Sequence, residues 1–136
     1  MSLLQWKDQF ALGVASMDKE HRDLVDAMNR VFELDQQQAG KQTVDGAIQR
    51  LMQLTVKHFQ DEERHMEAIG FPDLQRHARI HADMLRQVGE HYAAFQKGDG
   101  RVAKSFFDFL VHWLAAHICH IDRKYADYGA PVAGKK

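Results

Sequence analysis

Histidines and acids set one helical turn apart are the residues in this chain best suited to chemistry. His58 precedes Glu62 by four positions and His77 precedes His81 by four, spacings that stack two side chains on one face of a helix. His117 precedes Asp122 by five, and His21 stands near the start of its own apolar stretch. Neutral imidazole combined with carboxylate is a donor set for transition metals. Seven such groups are too many for one tetrahedral zinc, and five imidazoles bring more nitrogen than calcium or magnesium accepts. A mixed set with carboxylates able to bridge suits two iron ions.

The elements that must position these groups follow from breakers and periodicity. Ala39-Gly40-Lys41, Gly70-Phe71-Pro72 and Gly98-Asp99-Gly100 divide the chain. Between them apolar residues recur at helical spacing. The spacing predicts helices over about 18–38, with Leu24, Val25, Met28, Val31 and Phe32 on one stripe; about 41–69, with Val44, Ile48, Leu51 and Met66; about 73–97, with Leu74, Met84, Val88 and Phe95; and about 101–124, with Val102, Phe106, Leu110 and Trp113. No segment alternates with period two, so the chain is all-α. Four helices joined by short connections form an up-down-up-down antiparallel four-helix bundle. Residues 1–17 read as an N-terminal arm whose Trp6, Phe10, Leu12 and Val14 pack on the bundle at 18–128, and 129–136 as a frayed tail.

In that topology the starts of the first and third helices share one end with the finishes of the second and fourth. All seven groups then meet in one layer of the core. A carboxylate buried there costs on the order of several kcal/mol unless it is paired or coordinated. No Lys or Arg falls at a matching stripe position, so metal cations are the natural neutralising charge. The five-residue step from His117 to Asp122 suits a straight helix poorly. Either the helix loosens through a π-bulge or Asp122 lies past its regular end.

The pattern resembles the hemerythrin family, in its single-domain bacterial form. The residues that carry the likeness are His21 in MDKEHRDL, His58-x3-Glu62, His77-x3-His81 and His117-x4-Asp122, in the family's order. Glu63, Met66, the Gly70-Phe71-Pro72 turn and Trp113-Leu114 add to it, and the likeness runs from Trp6 to Asp122. It implies two iron ions (Fe²⁺/Fe³⁺) with an oxo or hydroxo bridge. His77, His81 and His117 would hold one ion; His21 and His58 would hold the other and leave it an open position; Glu62 and Asp122 would bridge them. It implies reversible binding of O2 for storage, transport or delivery, in a dry pocket lined by Leu24, Phe59, Trp113, Leu114 and Ile118. Such a protein is an oxygen binder and not an enzyme.

The remaining histidines, His65, His91, His112 and His120, read as core, surface or supporting groups. Glu62-x2-His65 matches half of a ferritin-like di-iron motif, but the second pair and two further helix glutamates are missing. Cys119 reads as a small packed residue, and Asp61, Glu63 and Arg64 as solvated surface. A length of 136 residues makes one domain, and 45% apolar with 27% charged residues is ordinary for a soluble protein. A formal net charge of -1 gives no reason for a nucleic-acid or anionic-membrane partner. The start shows no signal peptide, and a lone Cys119 fits the reducing cytoplasm. Competing functions are an O2 or redox sensor, a di-iron peroxide- or NO-reducing enzyme, and iron storage. A monomer that hands O2 to an oxygen-consuming enzyme is the expectation. A sensor needs a signalling partner domain and storage an assembled shell; five neutral imidazoles donate less electron density than the carboxylate-rich sites of oxygenases.

Overall fold

The structure, a computed structural model, describes residues 3–4, 15–117 and 124, apart from the side chains of Leu114 and Ala115. Four helices, α1 (Ala15–Gln36), α2 (Lys41–Ala68), α3 (Leu74–Lys97) and α4 (Lys104–Ala116), follow one another with no strand among the described residues. Each turns an apolar stripe inward, and Leu24, Met28, Val31, Ile48, Leu51, Phe106 and Leu110 form the middle of one continuous core. No helix among the described residues is long and apolar enough to cross a membrane.

The first helix starts earlier than its expected position 18. Met17, expected at the end of the arm, is buried against Met66 and Phe71, and this contact draws the preceding turn into α1. Of the arm, Leu3 and Leu4 pack on the core, and Leu4 exchanges two hydrogen bonds with the Asn29 side chain at 2.9 and 2.7 Å. Trp6, Phe10, Leu12 and Val14 lie outside the described residues, as does the tail.

The breakers act by identifiable chemistry. At the end of α2, Phe71 N donates to Met66 O at 2.9 Å and Gly70 N to Glu67 O at 3.1 Å, with Gly70 at φ 69°. That is a Schellman closure with glycine in the left-handed position, and Phe71 packs on Met66 as such closures favour. The same bond pattern ends α1, where Ala39 N reaches Leu34 O and Gln38 takes φ 52°. At the opposite end of the bundle Asp35 is buried and accepts from Val102 N at 2.8 Å and from Arg101 Nε at 3.0 Å. This anchor ties the α3–α4 connection to α1, so α4 begins at Lys104 rather than near 101. Lys41 Nζ, bonded to the Gln96 and Gly98 carbonyls at 2.6 and 2.9 Å, caps the end of α3 beside it.

Candidate metal centre

The starts of α1 and α3 and the finishes of α2 and α4 do share one end. His21, His58, Glu62, His77, His81 and His117 are all buried there, on the same stripes as the apolar core. Glu62, with 0% of its surface exposed, sits at the middle. Its Oε2 lies 3.4 Å from His21 Nε2 and 3.3 Å from His58 Nε2. Its Oε1 lies 3.0 Å from His81 Nε2 and 3.9 Å from His117 Nε2. The donor atoms therefore form two groups, His21–His58–Glu62 and Glu62–His77–His81–His117, each within 4.8 Å and sharing one carboxylate.

Outer carboxylates fix which ring nitrogens face this centre. His58 Nδ1 lies 2.7 Å from Glu20 Oε1, and His81 Nδ1 lies 2.9 Å from Glu63 Oε2. An ionised carboxylate only accepts, so both Nδ1 atoms carry the proton and both Nε2 lone pairs point inward. They point at Glu62, itself an acceptor, and His81 Nε2 also faces His117 Nε2 at 3.2 Å. Acceptors so close in a dry core repel unless a cation or extra protons lie between them. Donors cis to one another on an octahedral ion at about 2.1 Å stand about 3 Å apart; three of the four imidazole nitrogens around Glu62 lie at 3.0–3.4 Å from it, and His117 stands wider at 3.9 Å. The residues present fit a pair of metal ions.

Electrostatics agree. When protons rather than metal cations lie between these groups, the charge of protonated His58 and hydrogen bonds from His117, His21 and His58 outweigh the upward push of burial and hold the Glu62 carboxyl well below its ordinary value. Glu62 is thus kept as an anion in the core, ready to bind cations from both sides.

Aromatic packing holds the rings. Phe59 stacks on His81 with centroids 3.8 Å apart and planes 5° off parallel, and meets Trp113 edge to face at 5.7 Å. His21 and His58 contact edge to face at 4.5 Å, as do His77 and His117 at 5.1 Å. Of the residues expected to line an oxygen pocket, Leu24, Phe59 and Trp113 are buried, with Phe59 against His81 and Trp113 against Phe59. The Leu114 side chain, Ile118 and Asp122 lie outside the described residues, as do Cys119 and His120.

A scan of family patterns matches residues 12–128 to the hemerythrin HHE cation binding domain. The chain belongs to the hemerythrin family. Similar relatives in the hemerythrin family include a bacteriohemerythrin of Stenotrophomonas maltophilia, 31% identical over 93% of this chain and 82% of its own length. A bacteriohemerythrin of Clostridium acetobutylicum is 29% identical, over 90% of this chain and 98% of its length. The myohemerythrin of Riftia pachyptila is 32% identical over 88% of each. A crystal structure of a hemerythrin point mutant superposes with a TM-score of 0.85 at 23% identity, covering 96% of this chain and all of its own, and so shares the fold.

Six of the seven residues picked out as hemerythrin ligands are brought together; Asp122 is not among the described residues. His117 stands at a π-type turn directly after α4, and the five-residue step from it to Asp122 lies outside the described residues. His65, His91 and His112 fall outside both donor groups. His91 instead stacks on Phe106 at 5.1 Å. Glu63 requires a correction: expected as solvated surface, it holds His81, whereas Asp61 pairs along the exposed face of α2 with Lys57 and Arg64. Glu20 was missed as a partner of His58, although it stands beside His21 in the same motif.

Proposed function

We propose that this hemerythrin-family chain binds O2 reversibly at two iron ions, acting as a carrier or store and not as an enzyme. The observation that carries the reading is the division of Glu62, one oxygen toward His21 and His58 and the other toward His81 and His117. A single carboxylate facing two separate imidazole groups is the arrangement of a bridging ligand. His77, His81 and His117 would hold one ion. His21 and His58 would hold the other, with fewer donors and an open position. Asp122 would add the second carboxylate bridge beside an oxo or hydroxo bridge.

When bound, the iron pair supplies reversible two-electron chemistry toward oxygen. The chain's own residues supply the conditions. Glu20 and Glu63 orient His58 and His81 with their lone pairs inward. Leu24, Phe59 and Trp113, with Leu114 and Ile118, would keep water and protons from the open position. We infer a cytoplasmic monomer that passes O2 to an oxygen-consuming enzyme.

The test is a spectroscopic cycle. Protein reconstituted with Fe²⁺ under nitrogen is exposed to O2, then purged with argon, while its visible spectrum is recorded. A charge-transfer band that appears with oxygen and vanishes on purging, over repeated cycles, is expected. A band that decays irreversibly with consumption of peroxide or nitric oxide would replace the carrier by an enzyme.

A further inference from the structure

We propose that Glu20 is a positioning residue for the iron-binding imidazole of His58, and so sets how firmly the ion on the open side is held; this rests on the di-iron reading above. Its two carboxylate oxygens have separate tasks. Oε1 accepts from His58 Nδ1 at 2.7 Å, and Oε2 lies 3.5 Å from Lys57 Nζ. Lys57 is held in turn by Asp61 at 2.7 Å. His58 is thereby fixed from outside by α1, although it belongs to α2, and its Nε2 is aimed at the Glu62 oxygen that also faces His21.

Two features separate this from ordinary surface pairing. The Glu20 side chain is only 19% exposed and meets a ring that is 2% exposed, so the hydrogen bond is largely shielded from water. A cleft lined by Lys19, Asp23, Arg50 and Lys57 opens onto Glu20 and the outer edge of His58. Truncating Glu20 therefore leaves a space that a small carboxylate can reach from solution. Glu63 stands in the same relation to His81 and serves as the internal comparison.

The experiment compares full-length wild type, Glu20→Ala and Glu20→Gln, each titrated with Fe²⁺ under nitrogen against a chromogenic chelator, with and without formate. Loss of a partner behind a ligating histidine weakens metal binding by roughly 10- to 100-fold. Glu20→Ala should show that loss for one of its two ions, and formate should restore it while leaving wild type unchanged. Glu20→Gln keeps an acceptor but loses the charge. It should keep both ions and show a higher midpoint potential, because the ferric state loses a nearby anion. Affinity in Glu20→Ala within twofold of wild type would overturn the proposal, as would a loss that formate fails to restore. If Glu20→Ala does not fold, as judged by circular dichroism, an unchanged potential in Glu20→Gln is the overturning result. Failure of wild type itself to take up two irons would strike the di-iron reading instead.

Discussion

Glu62 on α2 stands 3.0 Å, oxygen to nitrogen, from His81 on α3, while its other oxygen faces His21 on α1. One side chain thus touches three helices across the dry end of the bundle. Its charge is stabilised by the groups it must share a metal with, which makes the centre sensitive to single substitutions.

Ligand and non-ligand histidines should separate cleanly. His77→Ala removes a member of the three-histidine group, whereas His91→Ala removes a ring stacked on Phe106 away from it. Iron analysis after reconstitution should show loss of stoichiometric loading in the first and normal loading in the second. Equal effects would undo the ligand assignment.

Acid sensitivity of the metal-free protein should carry the signature of Glu62. Its folded carboxyl lies below the ordinary value of 4.5, so its contribution is fully present above about pH 4.5 and is lost as the pH falls toward the folded value. The stability gap between wild type and Glu62→Gln, measured by urea unfolding in chelator, should narrow as the pH falls below about 4.5. A gap that widens on acidification would contradict the assignment.

Asp35 should matter for stability and not for iron. Replacing it by Ala leaves the Val102 N–H without its acceptor and frees Arg101. The loss should be about 3 kcal/mol by urea unfolding. Because Asp35 lies at the far end of the bundle from Glu62, iron stoichiometry should not change; coupled loss of both would argue that the anchor also sets the site.

Phe59→Ala should harm stability and oxygen retention together. Its ring lies flat on His81 and edge-on to Trp113. A cavity of this kind costs roughly 3–5 kcal/mol. Water admitted beside His81 should shorten the life of the oxygenated form, followed as decay of its visible band. A stable band would place the protective wall elsewhere.

Much of the fold was legible because it rests on strong local signals. The His58–Glu62 and His77–His81 spacings put their pairs on buried stripes, and Gly70 marked the end of α2 through the left-handed closure it permits. Other features carry no such signal. Glu20 and Glu63 have the composition of a solvated face, and only the approach of α1 to α2, and of α3 to α2, makes them partners of His58 and His81. Asp35 is likewise a charged residue near a helix end whose burial depends on a loop sixty-odd positions later. Gln38 adopts the left-handed turn that sequence assigns to glycine, held there by the closure of α1. Tertiary contacts decide Glu20, Glu63 and Asp35, and local pattern cannot.

The most direct measurement is a titration of metal-free protein with Fe²⁺ under nitrogen, comparing wild type with Glu62→Gln. Two ions bound per wild-type chain, with the variant unable to hold the pair, is the predicted result. A wild-type end point at one ion or none, or a variant that still binds two as tightly, would contradict a centre built on a shared Glu62.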